Sequence, residues 1–261
     1  MRFRAASYNV LASAYIKPAF YPRVEPALLD PAWRIPALVR HIAGLEADLL
    51  GLQEVDAATY AALESGLAPL GFAGHYARET GRKPDGCATF YRRELFVMRA
   101  MERLAYADGS GHIALLAELE QSGQCLGLAN THLKWSPPGA DHDARQMHEL
   151  LVALAPRAGD WIICGDFNAK PGSEVLRLLR DAGYRPSHAD PTAFTCNPNG
   201  EAKTIDYLCH TAAFSASPQP LPPIDDRTPL PSREQPSDHL AVVATFDRLA
   251  GWSGIGEKRL S

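Results

Sequence analysis

The spacing of apolar and polar positions along the chain predicts a mixture of helices and strands. Apolar residues recur at helical spacing from Ile35 to Leu45, after a start bounded by prolines. Further helices are predicted at 57–67, at 141–154 and in a short segment that ends at Leu179. Strands are predicted, in chain order, at 3–10, 48–53, 71–77, 86–92, 96–104, 113–119, 125–131, 161–165, 205–209 and 240–246.

The order of these elements favours an α/β fold with two sheets. Turn residues separate the strands in the middle of the chain, as antiparallel hairpins require. Each sheet face has to be covered by apolar groups, which predicts a four-layer α/β/β/α sandwich of two mostly antiparallel sheets flanked by helices. We expect residues 1–248 to form one domain and residues 249–261 to form a C-terminal tail. Residues 217–236, rich in proline and acid, are expected to form a surface loop beside the site.

The composition narrows the classes of protein and partner. The chain has 46% hydrophobic and 21% charged residues, and its apolar runs stop well short of the roughly 20 residues needed to cross a bilayer. We therefore expect a cytoplasmic protein with no membrane span and no obligate protein partner. A net charge of −4 argues against a grip on long nucleic acid. The five cysteines include no C-x-x-C pair, which argues against a disulfide framework or a zinc ribbon.

Polar side chains stand where strand after strand ends or begins. In chain order they are Asn9, Gln53-Glu54, Asn130-Thr131-His132, Asp166-Phe167-Asn168, Asp206 and Asp238-His239. Considered singly, each has a structural explanation, such as Glu54 capping the helix that follows it, or Asp166 and Asn168 forming an Asx-type turn. Considered together, they are expected to converge on one rim of the fold.

The chemistry of this rim favours a hard cation. Carboxylate and amide oxygens, with few histidines and no cysteine pair, are ligands that Mg²⁺ or Mn²⁺ prefers, and these ions bind phosphate well. A zinc hydrolase would need a denser group of histidines. The triplet Asp141-His142-Asp143 is interpreted instead as the solvated start of its helix.

Six short blocks make this interpretation specific. They are Ser7-Tyr8-Asn9-Val10-Leu11, Leu52-Gln53-Glu54-Val55, Asn130-Thr131-His132-Leu133, Gly165-Asp166-Phe167-Asn168, Ile205-Asp206-Tyr207 and Ser237-Asp238-His239. In this order they resemble the endonuclease/exonuclease/phosphatase superfamily over nearly the whole chain. Within the superfamily, the chain resembles the branch of deadenylases, nocturnin and 2′-phosphodiesterase. This resemblance lies in Trp33-Arg34, in Asp85-Gly86-Cys87-Ala88 and in the segment His132 to Pro137 that leads to Arg145-Gln146. The resemblance implies that residues 1–248 are the catalytic domain of a hydrolase.

The resemblance also implies a metal site and a group that acts on water. Glu54 would be the principal ligand of Mg²⁺ or Mn²⁺, with Asn9 and Asp238 close to the same ion or its waters. Asp166 would orient or deprotonate the attacking water. Asn168 would hold a phosphate oxygen.

Further contacts to phosphate are implied on the same basis. His239, steered by Asp206, would stabilise the negative charge that builds on the phosphoryl oxygens, and His132 would contact the scissile phosphate. Lys134 and Arg145 are candidates for additional phosphate contacts, although such residues are more often solvated surface charges.

The part of the chain that would hold a nucleobase departs from the pattern of the branch. Pro137 matches a proline of the base pocket in deadenylases. However, Glu201 stands at the spacing before Asp206 where deadenylases carry a stacking phenylalanine, and Phe194 is the nearest aromatic residue upstream. Stacking of this kind contributes roughly 1–3 kcal/mol per base, so a preference for adenine is not implied.

Two substrate classes remain open at this point. The first hypothesis is a 3′-to-5′ exoribonuclease that acts on short single-stranded, oligo(A)-like RNA and releases 5′-monophosphates. The alternative is a phosphatase or phosphodiesterase that acts on a small nucleotide, such as a phosphorylated dinucleotide or a 2′-linked oligonucleotide. The absence of a basic excess favours the alternative slightly, because a small substrate offers few phosphates.

Overall fold

A computed structural model describes residues 1–188, 190 and 193–249 of the chain. The helices within these residues are α1 (Pro31–Gly44), α2 (Ala57–Leu67), α3 (His142–Leu154) and α4 (Glu174–Asp181). The strands are β1 (Arg2–Asn9), β2 (Leu49–Asp56), β3 (Phe72–Arg78), β4 (Asp85–Arg92), β5 (Val97–Ala105), β6 (Ile113–Gln121), β7 (Gln124–His132), β8 (Asp160–Asp166), β9 (Arg185–Pro186), β10 (Asp206–His210), β11 (Phe214–Pro218) and β12 (Val242–Arg248).

These strands form two six-stranded sheets, each with one parallel pair in its interior. The first sheet has the order β11-β12-β1-β2-β4-β3, and the second has the order β5-β6-β7-β8-β10-β9. Strand β1 runs parallel to β2, and β7 runs parallel to β8. The other paired strands are antiparallel. The prediction of two mostly antiparallel sheets is therefore confirmed.

The main core lies between the two sheets. Phe3 and Leu49 of the first sheet share one buried cluster with Leu128 and Ile162 of the second. Helices α1 and α2 pack on the outer face of the first sheet, and α3 and α4 pack on the outer face of the second. The four-layer α/β/β/α sandwich predicted from the sequence is the observed fold.

Helix α1 begins earlier than the apolar spacing predicts. The Asp30 carboxylate accepts a hydrogen bond from Ala32 N at 2.8 Å, and Pro31 takes the first helical position, where no N–H is needed. Trp33 and Arg34 therefore lie inside the helix and not before it. The Arg34 guanidinium is fully buried and donates from Nη1 to Val10 O at 2.6 Å.

The stretch that follows β10 is more ordered than its composition indicates. Strand β11, which the apolar pattern does not predict, pairs with β12 at the edge of the first sheet. The predicted loop 217–236 begins within β11, and Leu230 in its interior is buried. Of the predicted tail, all residues after Leu249 lie outside the described part of the chain.

Two predicted exclusions concern cysteines and membrane spans. All five cysteines lie in the described part of the chain and are free, and four of them are buried. Among the helices of the described residues, none is long and apolar enough to cross a bilayer.

Candidate active site

The alternation of side chains along the strands places the polar strand ends on the inner faces of both sheets. In β1, Phe3 and Ala5 point into the core between the sheets, so Asn9 follows on the same face. In β8, Ile162 and Cys164 do the same, and Asp166 follows. Because β1 and β2, and likewise β7 and β8, are parallel pairs, their carboxyl ends meet at one edge of each sheet. That edge is the predicted rim.

A pair of buried amides joins the two sheets directly beneath the rim. Gln53 Nε2 donates to Asn130 Oδ1 at 2.7 Å, across the interface between the sheets. Asn130 Nδ2 donates to the backbone oxygens of Leu52 and Ala88 at 3.1 and 2.9 Å. Gln53 Oε1 is buried without a partner among the described residues, but the hydrogen bond between Gln53 and Asn130 links the two sheets. This link fixes the relative positions of the side chains above it.

Glu54 reaches the cleft because of a bulge in β2. Its backbone has a φ of 54°, and the register between β2 and β4 shifts between Leu52 and Val55. The Glu54 carboxylate then accepts hydrogen bonds from Asn9 Nδ2 at 3.1 Å and from Ala12 N at 3.0 Å. The cap of α2 is instead Asp56, which accepts from Thr59 N at 2.8 Å. The alternative role of Glu54 as a helix cap is thus excluded.

Asp166 lies at the centre of the cluster. Its Oδ2 accepts a hydrogen bond from Asn9 Nδ2 at 3.0 Å, and its Oδ1 accepts one from Asn168 N at 2.9 Å. The second bond forms the Asx-type turn that the sequence allowed. Asp166 therefore shapes the turn after β8 and also places a carboxylate in the cluster. Burial, together with the charge of Asp206, raises the pKa of Asp166 to about 6.

Asn168 connects Asp166 to a histidine of the neighbouring strand. With a φ of 52°, its side chain turns back so that Nδ2 lies 3.2 Å from His132 Nε2 and donates to Leu133 O at 2.9 Å. His132 Nε2 is also 3.7 Å from Asp166 Oδ2. Burial lowers the pKa of His132 well below its usual value, which keeps the imidazole neutral.

A histidine–aspartate pair forms the other side of the cleft. His239 Nδ1 lies 3.0 Å from both carboxylate oxygens of Asp206, and Thr195 Oγ1 donates to the same carboxylate at 2.6 Å. This leaves His239 Nε2 3.8 Å from Asp166 Oδ2. Burial opposes protonation of His239, but the negative charges of Asp206, Asp166 and Asp238 outweigh it and raise its pKa to about 10.

Asp238 supplies a carboxylate oxygen that has no hydrogen-bond partner. Its Oδ2 accepts from the Tyr21 hydroxyl at 3.0 Å, whereas its buried Oδ1 is unpaired within the described residues. Burial also raises the pKa of Glu54 to about 7. The hydrogen bond from Asn9 lowers this pKa, and the negative charge of Asp238 raises it further. Uncompensated carboxylates of this kind fit a divalent cation, which would balance their charge.

The residues of the rim divide into those that line the cleft and those that lie behind it. The cleft has a volume of about 260 Å³ and is lined by Glu54, His132, Asp166, Asn168, Asp238 and His239, among others. Asn9 and Asp206 are almost fully buried behind these residues. The fold thus brings together the eight side chains to which a role was assigned, namely Asn9, Glu54, His132, Asp166, Asn168, Asp206, Asp238 and His239.

Two other groups of side chains have the spacing of metal ligands. Glu79, His112 and His132 form one, but Lys83 Nζ already lies 3.2 Å from the Glu79 carboxylate and 3.0 Å from His112 Nε2. In the other, Cys196 accompanies Asp206 and His239, which are bonded to each other. Neither group offers the oxygen-rich ligand set of a hard cation.

The predicted accessory residues stand apart from the lining of the cleft. Arg145 forms an ion pair with Asp141 at 2.7 Å on the surface of α3, and its side chain is 66% exposed. Lys134 is half-buried and Pro137 is exposed, both in the segment that follows β7. Trp135 in the same segment is 58% exposed.

Several residues that complete the site give no signal in the sequence. Tyr21 holds Asp238, and Thr195 holds Asp206, but both lie in stretches without apolar periodicity. The Ser237 hydroxyl donates to Asn9 O at 2.8 Å and so ties the end of β1 to the segment before β12. Of these, only Ser237 adjoins a recognisable motif.

The fold agrees with comparisons to known proteins. A sequence profile described as the endonuclease/exonuclease/phosphatase family matches residues 6–239, and the chain belongs to this family. It is a phosphoesterase of that family.

Two relatives match most of the chain. Carbon catabolite repressor protein 4 homolog 4 of Arabidopsis thaliana is 28% identical over 95% of this chain and 78% of its own length. The 2′,5′-phosphodiesterase 12 of Mus musculus is 26% identical over 92% of this chain, which spans 51% of that relative.

Solved structures show the same fold. The crystal structure of ANGEL2, described as a 2′,3′-cyclic phosphatase, superposes with a TM-score of 0.83 at 22% identity, over 94% of this chain and 95% of that one. The human nocturnin catalytic domain with bound sulfate superposes with a TM-score of 0.74 at 24% identity, over 95% of this chain and 94% of that one.

Proposed function

We propose that this protein is a Mg²⁺- or Mn²⁺-dependent phosphodiesterase that acts as a 3′-to-5′ exoribonuclease on short single-stranded, oligo(A)-like RNA and releases 5′-monophosphates. The observation that carries the proposal is the cleft itself. Carboxylates, amides and two histidines from both sheets face one space there, with Glu54 and Asp238 on one side and His239 on the other.

Glu54 and Asp238 are the residues that would hold the metal, with Asn9 behind them. Asn9 Nδ2 donates to both Glu54 and Asp166, so it sets the spacing between the ligand and the group that acts on water. When bound, the metal would supply positive charge to the phosphoryl oxygens and to the leaving oxygen.

Asp166 is proposed as the group that accepts a proton from water. With its pKa near 6, it is mostly ionised at neutral pH and still basic enough to accept that proton. The water oxygen would form a bond to phosphorus as the bond from phosphorus to the 3′-oxygen breaks, without a covalent enzyme intermediate. Asn168 Nδ2 would keep its bond to Leu133 O and would turn its second N–H, which now faces the neutral His132, to a phosphoryl oxygen.

His239 is proposed as the cationic group that stabilises the transition state. Its raised pKa keeps the imidazole protonated, and its Nε2 points to the same side of the cleft as Asp166 Oδ2. A buried cation aimed at the phosphoryl oxygens gains most when negative charge builds on them. Asp206 is a positioning residue, because it acts through His239.

The relatives support phosphodiester hydrolysis, and the charge of the protein limits the length of the substrate. They include 2′,5′-phosphodiesterase 12, whose name states a 2′,5′-phosphodiester and therefore does not favour RNA over a 2′-linked oligonucleotide. The net charge of −4 favours a substrate with few phosphates. Lys134, Pro137 and Arg145 stay predicted substrate contacts, and their positions outside the cleft suit nucleotides further along the chain from the scissile bond.

One alternative is favoured by a specific observation. The cleft is small, and the Arg145 side chain is already paired with Asp141. Lys203, which lines the cleft, lies 3.9 Å from the Glu201 carboxylate, so the described residues offer few unpaired cations near the site for a long strand. A phosphatase or phosphodiesterase that acts on a phosphorylated dinucleotide or a 2′-linked oligonucleotide would need fewer contacts.

Product analysis on matched substrates separates the two. A 5′-labelled RNA with an oligo(A) 3′ end, a 2′,5′-linked oligoadenylate of equal length and a phosphorylated dinucleotide would be incubated with Mg²⁺ or Mn²⁺. We expect a descending ladder and 5′-monophosphates from the RNA, which Asp166→Asn abolishes while keeping the side-chain shape. Intact RNA with hydrolysis of either other substrate would replace the proposal by the alternative.

A further inference from the structure

Phe20 is an aromatic residue that lines the cleft and is not packed in the core. It ends a short 3-10 turn, Pro18–Phe20, and its side chain is 43% exposed. The apolar cluster beneath it includes Leu11, Tyr21 and Val24 but not Phe20. A single exposed apolar side chain is normal on a protein surface, so what distinguishes Phe20 is its position in the lining of the cleft.

The neighbouring residues hold Phe20 in a fixed position relative to the carboxylates. Tyr21 is buried and donates its hydroxyl to Asp238 Oδ2 at 3.0 Å. Phe20 N donates to Lys17 O at 2.8 Å, and Tyr21 N donates to Pro18 O at 3.0 Å, which closes the turn. A ring on such an anchored turn is pre-organised for contact with a ligand bound at Asp238.

A second cavity adjoins the cleft at this ring. It has a volume of about 130 Å³, and Phe20, Tyr21 and Asn199 line both this cavity and the cleft. Its opposite walls are tied together, since Arg23 Nη1 donates to Asp226 O at 2.6 Å. Asn197 Nδ2 secures the same loop through Asp225 O and Thr228 O at 2.9 and 2.7 Å. The cavity is therefore a feature of the folded chain and is not a gap between loose segments.

Among the aromatic residues that line the cleft, Phe20 has a ring available for stacking. Tyr15 is half-buried, with its hydroxyl donating to Asp85 at 2.5 Å, and Tyr21 is buried, so Phe20 has the most exposed ring of the three. Glu201, which stands at the spacing where deadenylases carry a stacking phenylalanine, pairs with Lys170 at 3.0 Å and is not among the residues that line the cleft. Lys17 Nζ lies 5.3 Å from the centre of the Phe20 ring, so a stacked group would take the other face.

We propose that Phe20 stacks on the nucleobase of the nucleotide whose phosphate occupies the cleft, and that the adjoining cavity receives this base. The proposal deepens the proposed function and rests on it, because it names the part of the substrate that the pocket beside the cleft holds. Asn199, which lines both spaces, offers amide and carbonyl groups toward a base edge.

Equilibrium binding separates a base contact from a general effect on the site. The ligands are adenosine 5′-monophosphate and ribose 5-phosphate, titrated in Mg²⁺ into the wild type, Phe20→Ala, Phe20→Trp and Leu70→Ala. Leu70 is 44% exposed and is absent from the lining of both cavities, so it is a matched control. Loss of one stacked base costs about 5- to 150-fold in affinity.

The proposal expects this loss for adenosine 5′-monophosphate with Phe20→Ala and not with Leu70→Ala, unchanged binding of ribose 5-phosphate, and rescue by Phe20→Trp. It is overturned if Phe20→Ala weakens both ligands equally, if it weakens neither, or if the wild type binds both alike. The proposed function is tested separately. If the loss of affinity depends on the base but the protein cleaves no RNA, the base site stands and the exoribonuclease activity is rejected.

Discussion

Replacement of Asp206 by Asn tests how the fold makes His239 a cation. The substitution keeps the volume of the side chain and an oxygen for the Thr195 hydroxyl, which now donates to Asp206 at 2.6 Å. It removes the negative charge that faces His239 Nδ1 at 3.0 Å. Burial lowers the pKa of His239, and the charge of Asp206 raises it. Without that charge, the pKa of His239 should fall from about 10.

The size of the effect follows from what His239 is proposed to do. A neutral imidazole at Nε2 can no longer offer a full charge to the phosphoryl oxygens, and loss of one such preorganised group lowers kcat by roughly 10²- to 10³-fold. The sign of the pH effect is fixed as well. In the wild type His239 is protonated at neutral pH, so activity that needs the cation is lost only as the pH rises toward the folded-state pKa. In Asp206→Asn this alkaline loss should move to lower pH.

A double-mutant cycle with His239→Ala provides the assay. Steady-state kcat would be measured across pH for the wild type, both single variants and the double variant, on one labelled oligonucleotide. If Asp206 acts through His239, the double variant should be about as slow as His239→Ala alone. Multiplicative losses from the two substitutions, or an alkaline limb that stays in place in Asp206→Asn, would refute the reasoning.

Three further predictions concern the metal, the strand geometry and the accessory contacts. Glu54→Gln should raise the Mg²⁺ concentration for half-maximal activity by at least about tenfold, because even outer partners of metal ligands contribute that much, and an unchanged titration would exclude the ligand role. Gly165→Ala should lower the free energy of unfolding by about 1–3 kcal/mol in chemical denaturation and reduce activity. A Cβ there would lie 1.8 Å from Thr131 O, so wild-type stability would mean that β7 and β8 can separate. Lys134→Ala and Arg145→Ala should each reduce the slope of log affinity against log salt by about 0.7 for a longer single strand, and an unchanged slope would show that the residue makes no phosphate contact.

The rim could be predicted because alternation in strands is regular. Phe3 and Ala5 reveal which face of β1 is buried between the sheets. Asn9 lies on the same face, four residues after Ala5 and two after the polar Ser7. The same reasoning applies to Asp166 after Ile162. The period of a strand therefore carries information about where its last side chain points, even before the partner strand is known.

Glu54 shows where such reasoning stops. By alternation it belongs to the outer face, with Leu52, and only the bulge with its φ of 54° turns it into the cleft. Nothing in the apolar pattern marks that bulge. The sequence places Glu54 at the end of a strand, and its role as a metal ligand is implied by the resemblance alone. Tyr21 and Thr195 were beyond prediction for another reason: each touches a carboxylate from a distant part of the chain, and only tertiary structure brings them together.

The base pocket was predictable from the sequence in one respect and not in another. Glu201 shows in the sequence that the expected stacking residue is missing. Phe20 cannot be recognised as its replacement until the fold places the 18–20 turn against the 198–200 turn across the cleft. A deficit that is visible in one segment can thus be filled by another segment far away in the chain.

The most direct test of the account is a time course of cleavage of 5′-labelled oligo(A) RNA by the wild type and Asp166→Asn, in Mg²⁺, in Mn²⁺ and in EDTA. The account predicts products from the wild type with either metal, none in EDTA, recovery when metal is added back, and a rate roughly 10²- to 10⁴-fold lower for Asp166→Asn. Cleavage that persists in EDTA, or an Asp166→Asn rate equal to that of the wild type, would contradict the assignment of this cleft as a metal-dependent phosphodiesterase site.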